Sequence, residues 1–232
     1  GPFSQSLPVR VIANYPSWDR FVLMMHLRTG LRSLAEIKER RYPLRLSTRQ
    51  DAAHATRLLT DQIFALYGLT LGDLESWGGG LQWVSRPGEE SRLKALEDGG
   101  IDAVFDEGIG TWIETALRCG FELLTFEDSV LRQLEAIGWR RALIPADRYA
   151  GLKSAHLCLD FGGWPLYTRT SLSDDQACLI CSALHEREQL IPWDVRAYTG
   201  IDQLGRDSEA TPIDVPFHPG AERWYREHGY RG

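Results

Sequence analysis

The 232-residue sequence predicts an α/β protein made of two lobes. Short apolar segments alternate with stretches whose apolar residues recur every three or four positions, the signature of strands followed by amphipathic helices. The alternation runs without a break from residue 46 to residue 154, which implies a mainly parallel sheet with right-handed crossovers. The flanking segments, 1–45 and 155–232, each hold too few elements for a core. They are expected to pack together as one lobe beside the central lobe 46–154. The chain would then cross between lobes twice, and two crossings form a hinge with a cleft beside it.

In order along the chain, Val9–Ala13 and Phe21–Leu27 read as strands around the loop "NYPSWDR". A short helix follows from Ser33 to Arg40, with Ser33 placed to cap it. "PLRLSTR" is the next strand. Ala55, Leu58, Leu59, Ile63 and Leu66 mark a helix that Gly68 closes. "LQWVS" gives a strand and a helix around Leu93 and Leu96 follows it. "IDAVF" then leads into the helical stripe Ile109, Trp112, Ile113, Ala116 and Leu117. "FELLTF", a helix around Val130, Leu131 and Leu134, and "RRALIP" repeat the unit. Beyond it lie two strands, "HLCLDF" and "WPLYTRT", and a helix from Asp174 to Glu188. Then come an irregular tail from Ile191 to Asp214 and a final helix at "HPGAERWY".

Composition narrows the function. With 43% hydrophobic and 25% charged residues the chain has an ordinary globular make-up, and no run approaches the ~20 apolar residues of a membrane span. A net charge of −6 argues against nucleic acid as a partner. Cys119, Cys158, Cys178 and Cys181 lack the paired spacing of a zinc site and read as small buried residues. No Gly-rich phosphate loop and no nucleophile–base–orienter set is visible, so no metal, cofactor or catalytic residue is expected. The opening "GPFSQSLPVR" has no apolar h-region of a signal peptide, and compartment cannot be read from it.

Three stretches carry a family likeness: "SLAEIKERRYPLRLSTR", "LEDGGIDAVFDEG" and the closing "VPFHPGAERWYREHGY". They resemble the TAXI class of solute receptors, which serve tripartite ATP-independent periplasmic (TRAP) transporters. The resemblance implies an α/β type II periplasmic-binding-protein fold, with membrane transporter subunits as partners and a periplasmic location. His218-Pro219-Gly220-Ala221 before Trp224 and Tyr225 is its most specific motif. The family opens with a further βαβαβ unit that this sequence does not show, so the first lobe is expected to be incomplete. Self-association, or the C-terminal tail, is the expected cover for the sheet this leaves bare.

Candidate ligand contacts lie where strands of the central lobe end, since ligands of open α/β sheets bind at the carboxyl ends of strands. Ser47, Thr48 and Arg49 precede a long helix, where hydroxyls, free N–H groups and a guanidinium suit an anion. Helix capping by Ser47 or Thr48, with Arg49 merely solvated, is the competing reading. Asp106 and Glu107 end "IDAVF" and Trp112 lies one turn further. They are read either as carboxylates facing an N-terminal helix dipole or, as the resemblance implies, as a wall of the ligand cleft. His54 reads as a structural residue. The first lobe offers Asn14 and Trp18, and the return crossing offers Trp164 in "DFGGWP", whose glycines signal a turn or a close backbone approach. The expected function is a receptor for a small organic anion, an amino acid or carboxylate. The alternative is a truncated sensor or interaction module that keeps the fold without transport.

Overall fold

The computed structural model describes residues 5–193 and 199–231. The chain divides into two compact units: unit 1 comprises Gly1–Asp19 and Phe161–Gly232, and unit 2 comprises Arg20–Asp160. The crossings therefore fall at residues 19/20 and 160/161: the first lies far from the expected boundary at 45/46, the second six residues beyond the one expected at 154/155. Residues 20–45, expected in the first lobe, belong to unit 2 because strand β2 (Arg20–His26) is hydrogen-bonded inside that unit's sheet. Its side chains from Arg20 to Met25 are all buried, as a central strand covered on both faces requires.

Unit 2 is built on a seven-stranded sheet. β3 (Arg45–Arg49), β4 (Gly80–Val84) and β5 (Ala103–Glu107) form a parallel trio in the order β4-β3-β5. β2 runs antiparallel to β5, and on its other side pairs with β8 (His156–Asp160) at its start and β6 (Phe121–Leu123) at its end. β7 (Arg141–Ile144) closes the edge beside β8. Five of the seven strands thus share one direction and only β2 and β7 oppose it, so the fold is mixed α/β with a mostly parallel sheet.

The helices of unit 2 follow from their stripes. α1 (Leu34–Arg40) is capped by Ser33, which accepts from the Glu36 N–H. α2 (Ala55–Leu66) buries Leu59, Ile63 and Phe64, and α5 (Gly110–Arg118) buries Trp112, Ile113 and Ala116. α6 (Asp128–Ala136) buries Val130, Leu131 and Leu134. α4 (Glu90–Glu97) buries Arg92 and Leu96, with Leu93 only half-buried. One helix was not anticipated: α3 (Leu71–Ser76), opened by a reciprocal capping box between Thr70 and Asp73.

Unit 1 is smaller. β1 (Val9–Tyr15) and β9 (Trp164–Arg169) form an antiparallel pair, with Tyr15 opposite Trp164. α7 (Asp174–Glu186) and α9 (Pro219–Glu227) pack on it around Ile12, Ala177, Cys181, Phe217, Trp224 and Tyr225. The helices approach so closely that a Cβ on Gly220 would lie 2.3 Å from the Asp174 carbonyl oxygen. Residues 191–214 are less irregular than expected. A short helix, α8 (Ile201–Leu204), buries Ile201 and Leu204 in the same core, because two apolar residues three apart suffice for one turn; residues 194–198 of that stretch lie outside the described residues. Among the described residues no helix is long and apolar enough to cross a membrane.

Candidate functional site

The carboxyl ends of β3 and β5 lie on one edge of the unit 2 sheet, because these strands are parallel and adjacent. There the structure gathers Arg49, His54, Arg92, Asp106 and Glu107, but in roles that differ from the sequence expectation. Ser47 and Thr48 are fully buried and neither caps α2. Ser47 Oγ accepts from Arg92 Nε at 2.9 Å, and Thr48 Oγ1 donates to the Phe105 carbonyl at 3.0 Å. The cap of α2 is His54, whose Nδ1 accepts from the Thr56 N–H at 3.2 Å.

Asp106 neither caps α5 nor faces solvent. It is 0% exposed, and its Oδ2 takes Arg92 Nη1 at 2.5 Å, while Oδ1 accepts from the Glu107 N–H at 2.8 Å. Arg92 is equally buried and also donates to the Pro87 carbonyl at 3.1 Å. Desolvation lowers the Arg92 pKa and the Asp106 carboxylate opposes it. The acid at the end of "IDAVF" is therefore the counterion of a buried arginine. Trp112, expected as a wall of the ligand site, is a core residue: it is 0% exposed and its indole N–H donates to the Glu107 carbonyl at 2.7 Å. Arg92, which sequence reasoning missed, left one signal. It stands four residues before Leu96, on the same helix face, where an apolar residue would be expected.

Arg49 and Glu107 are half-buried and remain the accessible charged groups of the set. Arg49 Nη2 lies 3.3 Å from His54 Nε2, and Glu107 Oε1 lies 3.8 Å from the same ring nitrogen. Because His54 Nδ1 is occupied as an acceptor, the neutral ring carries its proton on Nε2. Arg49 Nη2 and His54 Nε2 are then two donors facing one another, a geometry that a shared acceptor would satisfy. Arg49 Nη1 and Arg92 Nη2 are buried and have no acceptor among the described residues. Burial, and after it the charge of Arg49, holds the His54 pKa below the usual imidazole value, with Asp106 and Asp51 opposing. The edge therefore offers donors in excess of acceptors, with Glu107 as the accessible carboxylate beside them.

The three remaining expected residues lie in unit 1. Asn14 is buried and its Nδ2 donates to the Pro212 carbonyl at 2.8 Å. Gly163 passes so close that a Cβ there would sit 2.9 Å from Asn14 Oδ1, and its φ of +84° favours glycine, which accounts for the second glycine of the return segment. Trp18 is half-buried. Trp164 is 59% exposed, with its indole N–H held by Asp19 Oδ2 at 3.1 Å.

A protein-family model described as the NMT1-like family matches residues 1–229. No curated protein matches the chain. Solved structures with similarity include the glycine betaine/L-proline-binding protein ProX of an ABC transporter from Borrelia burgdorferi. It is 14% identical, with 77% of this chain and 54% of that one covered and a TM-score of 0.43. A protein of Bordetella bronchiseptica is 13% identical, with 97% and 60% covered and a TM-score of 0.44. Apo YehZ from Escherichia coli is 14% identical, with 96% and 66% covered and a TM-score of 0.34. The chain thus spans 54% to 66% of the length of these three structures.

Proposed function

The chain belongs to the NMT1-like family, and from that premise we propose that it is a solute-binding receptor whose unit 2 holds the carboxylate of a small organic anion, an amino acid or carboxylate. One observation carries the reading: Arg49 Nη2 and His54 Nε2, both donors in the neutral ring capped through Nδ1, face each other at 3.3 Å at a strand-end edge where Arg49 Nη1 also lacks an acceptor among the described residues. A carboxylate oxygen placed there accepts from both, and a guanidinium engages a carboxylate with two parallel N–H bonds. Glu107 orients a cationic or hydroxylated group on the same solute. Ser47, Asp106 and Arg92 act behind this layer as the scaffold that fixes the ends of β3 and β5. The finer assignment is a TAXI-class receptor working in the periplasm with TRAP transporter subunits. It rests on the motif likeness around "LEDGGIDAVFDEG" and "HPGAERWY".

A thermal-shift panel of amino acids and dicarboxylates tests the binding claim. A ligand that binds only the folded state stabilises it by about 2.7 kcal/mol at a hundred times its Kd. For a chain of this length that is a rise of about 5–10 °C in Tm. Arg49→Ala should abolish the rise. A panel that shifts nothing, or a ligand whose affinity survives Arg49→Ala, refutes the proposal.

A further inference from the structure

Unit 1 contains a cavity of about 430 Å³ that none of the roles above uses. Its walls are Tyr15 and Trp164 from the paired ends of β1 and β9, and Leu190, Ile191 and Trp193 from the turn after α7, with Arg187 among them. We propose that this cavity is a ligand site of its own for an aryl carboxylate: a flat apolar body between the aromatic side chains and a carboxylate on Arg187.

The size falls within the range of small-molecule sites, which are mostly apolar with a few placed polar groups. The walls are held in place. Tyr15 and Trp164 face each other across the antiparallel pair, so both rings lie on one face of the ribbon. The Trp164 indole N–H is fixed by Asp19, whose carboxylate is braced by the Ser17 hydroxyl at 2.8 Å. Opposite them, Ile191 and Trp193 pack against the unit 1 core. The chain between is pinned by the Leu190 N–H on the Arg187 carbonyl at 2.8 Å and the Trp193 N–H on the Ile191 carbonyl at 3.0 Å. Trp164 and Leu190 nonetheless leave 59% and 78% of their surface to solvent. A preformed apolar hollow with exposed walls gains most from burying a flat hydrophobic body, and ring–ring contacts favour an aromatic one.

Charge selects the rest of the ligand. Arg187 is exposed and contributes the lining's one formal charge, and no carboxylate among the described residues pairs with it. Its planar fork matches a carboxylate. Every residue of the site belongs to unit 1, so it stands or falls apart from the Arg49 cluster of unit 2.

Calorimetric titration of the full chain with phenylacetate, phenylacetamide and glycine betaine tests the proposal. Phenylacetate should bind, and its neutral amide should bind at least about tenfold more weakly, the loss expected for one charge-assisted bond. Arg187→Gln should erase that difference. Leu190→Trp, at an exposed position, should fill the cavity and weaken phenylacetate by a similar factor, whereas Arg49→Ala should leave it within about twofold. If Leu190→Trp fails to fold by circular dichroism, Arg187→Gln alone decides. The proposal is overturned by equal binding of acid and amide, by no heat from phenylacetate, or by glycine betaine binding in its place. It is equally overturned if Arg49→Ala removes the binding while Arg187→Gln does not; the unit 2 proposal would then stand without it.

Discussion

Removing the Asp106 carboxylate should cost unit 2 about 3–5 kcal/mol, because it leaves the guanidinium of Arg92 charged and uncompensated in the interior. Both side chains are 0% exposed and meet at 2.5 Å. The hydrogen-bond partners left to Arg92 are neutral, the Ser47 hydroxyl at 2.9 Å and the Pro87 carbonyl at 3.1 Å, and the Glu89 carboxylate acts on it only through space. At 2–4 °C per kcal/mol for a chain of this size, Asp106→Ala should lower Tm by about 6–20 °C. The partner variant should behave differently. In Arg92→Met the orphaned group is a carboxylate, which can neutralise itself by taking up a proton, an escape that a guanidinium lacks in any accessible pH range. The penalty of Arg92→Met should therefore be the smaller of the two. The pair Arg92→Met/Asp106→Leu should cost well under the sum of the two singles, the remainder coming from Ser47 and the Pro87 carbonyl left without their donor. Urea denaturation at several pH values, read as a change of midpoint at constant slope, measures all three. An Asp106→Ala cost below about 1 kcal/mol, or a strictly additive double variant, would show that the buried pair is not what holds the ends of β3 and β5 together.

Gly220→Ala should destabilise unit 1 by about 3 kcal/mol or more, since the new methyl meets the α7 backbone at Asp174 and only a shift of a whole helix relieves it; a midpoint unchanged from wild type in urea would refute this. His218→Ala removes the cap of α9, where Nδ1 accepts from the Gly220 N–H at 3.2 Å, and with it the Nε2 contact to the Leu172 carbonyl at 3.0 Å. About 1–2 kcal/mol is expected from the lost cap, checked by the same denaturation and by faster amide exchange in the first turn of α9. Burial lowers the His156 pKa to about 4. Its unfolded value is higher, so the stabilisation is fully present above about pH 6.5 and is lost as pH falls towards 4. With partial exposure discounted, about 1–2 kcal/mol is at stake. His156→Gln should flatten the stability profile between those limits, and an unchanged slope would exclude His156 as its source.

Much of the fold was legible because its rules are local. The apolar spacing in Leu59/Ile63 and in Val130/Leu131/Leu134 marks a buried helix face whatever surrounds it, and Ser33 capping α1 needs only its own first turn. Helix α3 was legible too, through Thr70 and Asp73, but six residues leave no periodicity to notice. The membership of residues 20–45 was not local. β2 carries the same run of apolar residues whichever unit it joins, and only its pairing with β5, β6 and β8 assigns it.

The candidate site divides in the same way. Read from sequence, polar and charged residues end β3 and β5 and a long helix begins shortly after β3, which pointed to the strand-end edge and to Arg49 as candidates. The sequence could not determine which charges would be spent on one another. Arg92 lies fourteen residues from Asp106, and its pairing exists only because α4 folds back over the sheet and excludes water from both groups. That burial turned Asp106 and Ser47 into scaffold. The cap on α2 went to His54 because it directly precedes the helix, too far along for Ser47 or Thr48 to reach. Burial and the charge of Arg49 together lower the His54 pKa and so favour the neutral ring, whose remaining proton faces Arg49. Tertiary packing, through the free energy of desolvation, decided which of the polar groups encoded at that edge would remain accessible and which would be buried against one another.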